Sequence, residues 1–118
     1  MGVSDPSLVE HVAFADVEVG DCIADTEAVD GLVALASCEV EGALPVREVT
    51  TVGEGAPESR PAHLVVHGYA TAACEDAATA YAQERGVPET GLLRVAVISD
   101  SEWFGEQTPV VCAILEVL

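Results

Sequence analysis

The chain has 118 residues, and its 21 acidic side chains against four arginines and no lysine give a formal net charge of −17. This balance argues against nucleic acid or an anionic membrane as a partner, because both are bound through basic surface. Half of the residues are hydrophobic, which indicates a folded protein rather than a disordered one. The length predicts a single domain, 1–118, in which residues 1–8 form a frayed lead-in.

The acidity has three interpretations. It fits adaptation to a salty cytoplasm, where screening suppresses the repulsion between carboxylates. It also fits an ordinary acidic protein from a GC-rich organism. The third interpretation is a nucleic-acid mimic that occupies the basic groove of another protein.

The four cysteines are spread along the chain without the close-spaced pairs that zinc sites usually show, so neither a metal site nor a cofactor is predicted: Cys22, Cys38, Cys74 and Cys112. An even count permits two disulfides. However, the first ten residues, MGVSDPSLVE, have no basic start and no apolar run, unlike a signal peptide. We therefore predict a cytoplasmic location with free, mostly buried thiols. The apolar run 110–115 is too short to span a bilayer, so no membrane partner is predicted.

Periodicity predicts the elements of the first half. Residues 11–19 alternate loosely and predict a strand. Residues 25–40 predict a helix, because their apolar side chains recur at helical spacing, although Gly31 is unfavourable in its interior. Residues 46–52 predict a second strand, followed by the polar loop GEGAPESRP.

The second half predicts strand, helix, strand, strand. Residues 63–70 (HLVVHGYA) alternate between a small apolar face and a face with two histidines and a tyrosine, which predicts a strand. A helix follows with Thr71 as its N-cap, and Arg85 and Gly86 mark its end. Residues 92–99 and 110–118 predict the last two strands, the final one apolar on both faces and therefore central or covered.

This order predicts a ferredoxin-like α+β sandwich with an additional C-terminal strand and both helices on one face of a mainly antiparallel sheet. The other face is apolar and open in a monomer. We therefore expect a second copy of the chain to cover it, which predicts a homo-oligomer.

Three residues are weak candidates for catalysis or ligand binding. His67 and Tyr69 would share one strand face about 6–7 Å apart, which leaves room for a small ligand, although a subunit interface explains them as well. Arg94 interrupts an apolar strand and suits a carboxylate or phosphate, although an ion pair explains it too. His63 and His67 form an H-x3-H pair, but on a strand they lie about 13 Å apart, too far for one metal ion.

Three further residues have a chemical and a structural interpretation. Cys74 would lie at a helix N-terminus, which activates thiols, but it also lies on the apolar helix face, which favours an inert buried cysteine. Trp103 and Phe104, flanked by Asp100 and Glu102, suit either a protein partner or the end of the core. No phosphate-loop, dinucleotide, zinc-protease or nucleophile-elbow motif is present in the sequence.

Three functional hypotheses follow. The first is a self-associating protein-interaction or structural module, adapted to high salt. The second is a small-molecule-binding protein or enzyme with a pocket around His67, Tyr69 and Arg94. The third is the acidic mimic, which should carry its carboxylates in one band.

Overall fold

The computed structural model describes residues 9–99 and 101–117, which form one α-helix and a six-stranded antiparallel sheet. The predicted lead-in, Asp100 and Leu118 lie outside the described residues. Short 3-10 turns occupy Phe14–Asp16, Glu89–Gly91 and Gly105–Gln107. The helix and strands are α1 (His63–Arg85), β1 (Glu10–Ala13), β2 (Cys22–Ile23), β3 (Leu32–Ala36), β4 (Leu44–Thr51), β5 (Leu92–Ile98) and β6 (Pro109–Glu116).

The sheet has the order β1-β3-β2-β4-β6-β5 and curls into half a barrel, with α1 packed against β4, β5 and β6. The ferredoxin-like prediction is therefore wrong, because it required two helices on one side of an open sheet. The positions of the last two strands are confirmed, and β6 is central, as its apolar sequence predicted.

The predicted helix over 25–40 is wrong, because this segment forms a turn and strand β3. Asp30 and Gly31 have φ angles of 55° and 75°, and Val29 and Leu32 exchange two backbone hydrogen bonds of 3.0 Å across them. Two consecutive positive φ angles define the type I′ hairpin turn that Asp-Gly favours. Of the apolar residues in the predicted helical stripe, Val33 is fully buried, whereas Val29 is exposed, so the stripe does not form one buried face and the turn determines the structure.

The predicted strand over 63–70 is also wrong, because α1 begins at His63 and continues for 23 residues. Thr71 is not an N-cap; its hydroxyl donates to the His67 carbonyl one turn earlier, at 3.0 Å. The buried side chains recur every fourth residue through the whole helix: Val66, Ala70, Cys74, Ala78 and Ala82. Burial of this stripe outweighs the β propensity of the first turns. The predicted end is confirmed, since Gly86 adopts the left-handed cap conformation.

Two cores lie on opposite faces of the sheet. Beneath α1, the buried stripe packs on Val110, Cys112 and Ile114 of β6. On the other face, the curl brings Phe14 and residues of β2 and β3 onto Val97 and Val111. The face that the sequence predicted to be open is therefore largely filled by the chain itself. Exposed apolar side chains remain at its end, where Leu93, Leu115 and Val117 lie.

Candidate functional site

A groove of about 600 Å³ lies between α1, strand β4 and the end of β6. It holds two of the four arginines of this acidic chain, Arg47 and Arg85. We call it the arginine groove. Its lining residues are Val19, Arg47, Glu48, Ala77, Ala80, Tyr81, Glu84, Arg85 and Glu116.

A bulge in β4 explains why two consecutive residues line the groove. Val46 pairs with Ala113 and Glu48 with Cys112, so Arg47 is an additional residue opposite β6. Side chains of a regular strand alternate between faces, and a bulge relaxes that alternation. Arg47 and Glu48 consequently both reach the α1 side, and the Arg47 guanidinium lies 4.9 Å from the centre of the Tyr81 ring.

Glu116 is the centre of a hydrogen-bond network in the groove. The Tyr81 hydroxyl donates to Glu116 Oε2 at 2.9 Å, and Arg85 Nε donates to the same oxygen at 3.1 Å. The hydrogen bond from Tyr81 lowers the pKa of Glu116, and Arg85 lowers it further. In return, Glu116 raises the pKa of Arg85. The network holds Tyr81 and Arg85 in place, on the same face of α1 one turn apart.

Arg47 has a different environment, since its guanidinium forms no hydrogen bond or ion pair with the described residues. A guanidinium stacked on a ring keeps its N–H groups available for a carboxylate or phosphate. Ala77 and Ala80 add an apolar wall, and Glu48 and Glu84 add negative charge. The lining thus carries three carboxylates against two guanidiniums, and Arg47 is the guanidinium of the groove that has no ion pair among the described residues.

The structure does not bring the three predicted pocket residues together. His67 and Tyr69 lie on a helix, where two positions differ by about 200° around the axis, so they do not share a face. The Tyr69 hydroxyl donates to the Gly55 carbonyl at 3.4 Å, and Arg94 forms an ion pair with Glu75 at 3.1 Å. The structural interpretation of Arg94 as an ion pair is thus confirmed; a catalytic role for the three stays a prediction.

Trp103 and Phe104 have different roles in the fold. The Trp103 indole donates to the Pro57 carbonyl at 2.7 Å and packs on the core beneath α1, so it fixes the loop that precedes the helix. Phe104 is 56% exposed. Of this pair, Phe104 is the side chain that remains available to a protein partner.

All four cysteines form disulfides, Cys22–Cys38 and Cys74–Cys112. The prediction of free thiols is wrong. Cys74 is buried, as predicted, but its sulfur is bonded to Cys112 of β6, so it is no nucleophile. The linear spacing concealed both pairs, because the partners are 16 and 38 residues apart.

Strand β5 is an edge of the sheet, and within the described residues it pairs with β6 alone. The Val117 N–H donates to the Gly91 carbonyl at 2.9 Å, so Gly91 and Val117 are a hydrogen-bonded pair. In an antiparallel ladder, hydrogen-bonded pairs alternate with pairs whose backbone groups point away from the partner strand. Residues 93, 95 and 97 therefore direct their backbone groups to β6, whereas Arg94, Ala96 and Ile98 direct theirs outward. No described residue hydrogen-bonds with these outward groups.

No pattern in the sequence pointed to the arginine groove. The scarcity of cations, which drew attention to Arg94, applies equally to Arg47 and Arg85, and the Tyr81–Arg85 spacing of one helical turn was visible in the predicted helix. The bulge at Arg47 had no signal in the sequence, because it depends on pairing with β6.

Comparison with known proteins gives no assignment: no protein-family model, curated protein or solved structure matches the chain. Among residues 9–99 and 101–117, no helix is long and apolar enough to cross a membrane.

Proposed function

We propose that the chain is a self-associating structural module that works in an oxidising compartment and pairs with a second copy through the edge of β5. The observation that carries this proposal is the row of outward backbone groups at Arg94, Ala96 and Ile98. Unpaired edges of this kind are templates for strand addition, and proteins usually protect them with lysine, proline or a cover. The sequence of β5, LLRVAVI, contains neither lysine nor proline.

A second copy suits this edge because the edge is self-complementary. An antiparallel pair centred on Ala96 places Arg94 opposite Ile98 of the second copy, so every outward N–H and C=O finds a partner. Arg94 is the only charged residue in β5, which makes this edge far less acidic than the whole chain. Leu93 and Leu115, 43% and 36% exposed and adjacent in the sheet, add apolar area.

The proposed oxidising compartment rests on the two disulfides. Disulfides persist outside the reducing cytosol, in secreted or cell-surface proteins. The predicted cytoplasmic location rested on free thiols, so the cross-links favour an oxidising compartment instead. Adaptation to high salt stays part of the proposal, since screening would allow two chains of charge −17 to approach.

Sedimentation velocity tests the association at about 0.05 M and about 1 M NaCl, where the screening lengths differ several-fold. We expect a dimer in high salt.

Ala96→Pro removes an outward N–H and should give a monomer. The matched control is Ala13→Pro on the opposite edge strand, where φ is −67° and suits proline. A wild-type monomer at both salt concentrations, or a monomer caused by Ala13→Pro rather than Ala96→Pro, would contradict the proposal. Circular dichroism confirms that both variants fold.

A second candidate function is binding of a small anionic ligand in the arginine groove, which is favoured by the guanidinium of Arg47, unpaired among the described residues. Inorganic phosphate and succinate are suitable probes in a thermal-shift titration. Arg47→Gln should abolish any shift, and Arg60→Gln, outside the groove, should preserve it. The acidic mimic stays a prediction that no feature of the fold favours over these two.

A further inference from the structure

His63 and His67 lie one turn apart on α1, and their ring centres are 4.4 Å apart. The distance of about 13 Å that excluded a shared metal ion holds for a strand, and this segment is helical. On a helix, residues four apart are neighbours on one face. The same spacing supplies the two histidine ligands of the helical H-E-x-x-H zinc motif.

We propose that His63 and His67 together bind one divalent transition-metal ion of the class that prefers imidazole, Zn²⁺, Ni²⁺ or Cu²⁺. Bonds of about 2.0–2.1 Å from the metal to each nitrogen require the two ring nitrogens to approach within about 3–4 Å of each other. Rings with centres 4.4 Å apart reach that arrangement by rotation of the side chains alone. The backbone of α1 stays unchanged.

Both imidazoles are available. His63 is exposed and His67 is half-buried, and neither ring forms a hydrogen bond or an ion pair with the described residues. In the described part of the chain, no group of three or more metal-binding side chains surrounds a common point. The protein therefore supplies two ligands, and water or a ligand from solution completes the coordination shell. This is an open site at the chain surface.

Two electrostatic effects act on a cation at this site. The positive end of the α1 dipole opposes it, because His63 is the first residue of the helix and the dipole acts mainly in the first turn. The net charge of −17 raises the concentration of cations around the whole molecule. Neither effect distinguishes one divalent ion from another. Selectivity for transition metals must come from the imidazoles, because carboxylates bind Mg²⁺ equally readily.

Isothermal titration calorimetry with ZnCl₂ in about 1 M NaCl tests the site, because salt at that level screens weak binding to carboxylates. We expect one Zn²⁺ per chain and no comparable binding of Mg²⁺. His63→Ala and His67→Ala should each weaken Zn²⁺ binding by about tenfold or more, as loss of a ligand does. The matched control is His11→Ala, which removes the third histidine of the chain, on β1, and should leave the affinity unchanged.

A variant that moves the second histidine by one position tests whether both imidazoles must bind the same ion. His67→Ala combined with Gly68→His keeps the number of histidines in α1 at two, His63 included, and a side chain at Gly68 meets no neighbour within 4 Å. Positions 63 and 68 lie about 140° apart on the helix, so this variant should lose Zn²⁺ binding. Unchanged affinity in this double variant, equal loss in His11→Ala, absence of Zn²⁺ binding by the wild type, or one ion per two chains would each overturn the proposal.

Discussion

Cys74 of α1 and Cys112 of β6 are joined by a disulfide with their Cα atoms 5.6 Å apart, and both are buried beneath the helix. The bond therefore ties the middle of the helix to the central strand. Cys22–Cys38, by contrast, closes a shorter loop at the surface, where Cys38 is exposed. The two cross-links thus differ in both loop length and burial, which gives them different expected contributions to stability.

Removal of the buried disulfide should destabilise the fold more than removal of the surface one. Loop closure alone gives about 4 kcal/mol for 38 residues and about 3 kcal/mol for 16. Cys74→Ala with Cys112→Ala also leaves a cavity in the core, which adds to the loss. Urea unfolding of this double variant and of Cys22→Ala with Cys38→Ala measures the difference. A wild type whose four cysteines react with iodoacetamide without reductant would show that the disulfides do not form.

The parts of the fold that the sequence predicted are those whose signals are local. The end of α1 is marked by Arg85 followed by Gly86. The strands β5 and β6 are short, largely apolar runs, which are typical of buried strands. The start of α1 was missed because residues 63–70 also alternate between two distinct faces, as a strand does. Continuing the four-residue spacing of Cys74 and Ala78 back to Val66 would have revealed it.

The sites were less predictable than the fold, because each depends on contacts distant in sequence. The arginine groove requires α1, β4 and β6 to meet, and the disulfides require knowledge of the sheet order. The His63–His67 pair was recognised as a motif, and its interpretation depended wholly on the secondary structure assigned to it. One incorrect strand assignment therefore changed the conclusion about a metal site.

Gly31 and Gly68 should respond to alanine in opposite directions. Gly31 has a φ of 75°, which strains any residue with a Cβ, so Gly31→Ala should cost about 1–3 kcal/mol, whereas the nearby carboxylate end of Glu102 can move aside. Gly68 lies inside α1 with open space around it, so Gly68→Ala should stabilise the fold by about 0.5–1 kcal/mol. Thermal unfolding of both variants checks this. A stabilised Gly31→Ala variant would contradict the turn geometry described for Asp30 and Gly31.

Thr108 should be sensitive to a substitution that preserves its shape. It is fully buried; its hydroxyl accepts from the Phe104 N–H at 2.8 Å and donates to the Gly105 carbonyl at 2.8 Å. Thr108→Val leaves the Phe104 N–H without that partner, whereas the Gly105 carbonyl keeps the hydrogen bond from the Thr108 N–H at 3.1 Å. The loss should cost about 1–3 kcal/mol. Thr51→Val, at an exposed position of β4, is the control and should change stability by less than about 0.5 kcal/mol. Equal urea midpoints for the two variants would refute a structural role for the hydroxyl.

Glu116 should make the stability of the fold depend on pH in the acid range. Its pKa in the folded chain is lowered from the usual 4.5, first by the hydrogen bond from Tyr81 and then by Arg85. The unfolded chain consequently binds more protons, so this contribution is present above the unfolded pKa and is lost as pH falls through the folded value. Urea unfolding across the acid range should show a weaker pH dependence in Glu116→Gln. Glu27→Gln, an exposed carboxylate outside the groove, should keep the wild-type dependence.

A single lysine at an exposed position of the sheet face opposite α1 should distinguish association through β5 from nonspecific contact. Leu93 on the edge strand and Val49 on β4 are 43% and 37% exposed, and lysine at either position changes the net charge equally. Only Leu93 lies on the proposed pairing strand, where lysine would place a hydrated charge beside the interface and remove apolar area. In about 1 M NaCl, Leu93→Lys should raise the dissociation constant of the dimer by about tenfold, equivalent to about 1.4 kcal/mol. Val49→Lys should leave it within about twofold, and sedimentation at several protein concentrations measures both. Equal weakening by the two lysines would mean that the copies associate through the whole face, and the edge of β5 would then lose its proposed role.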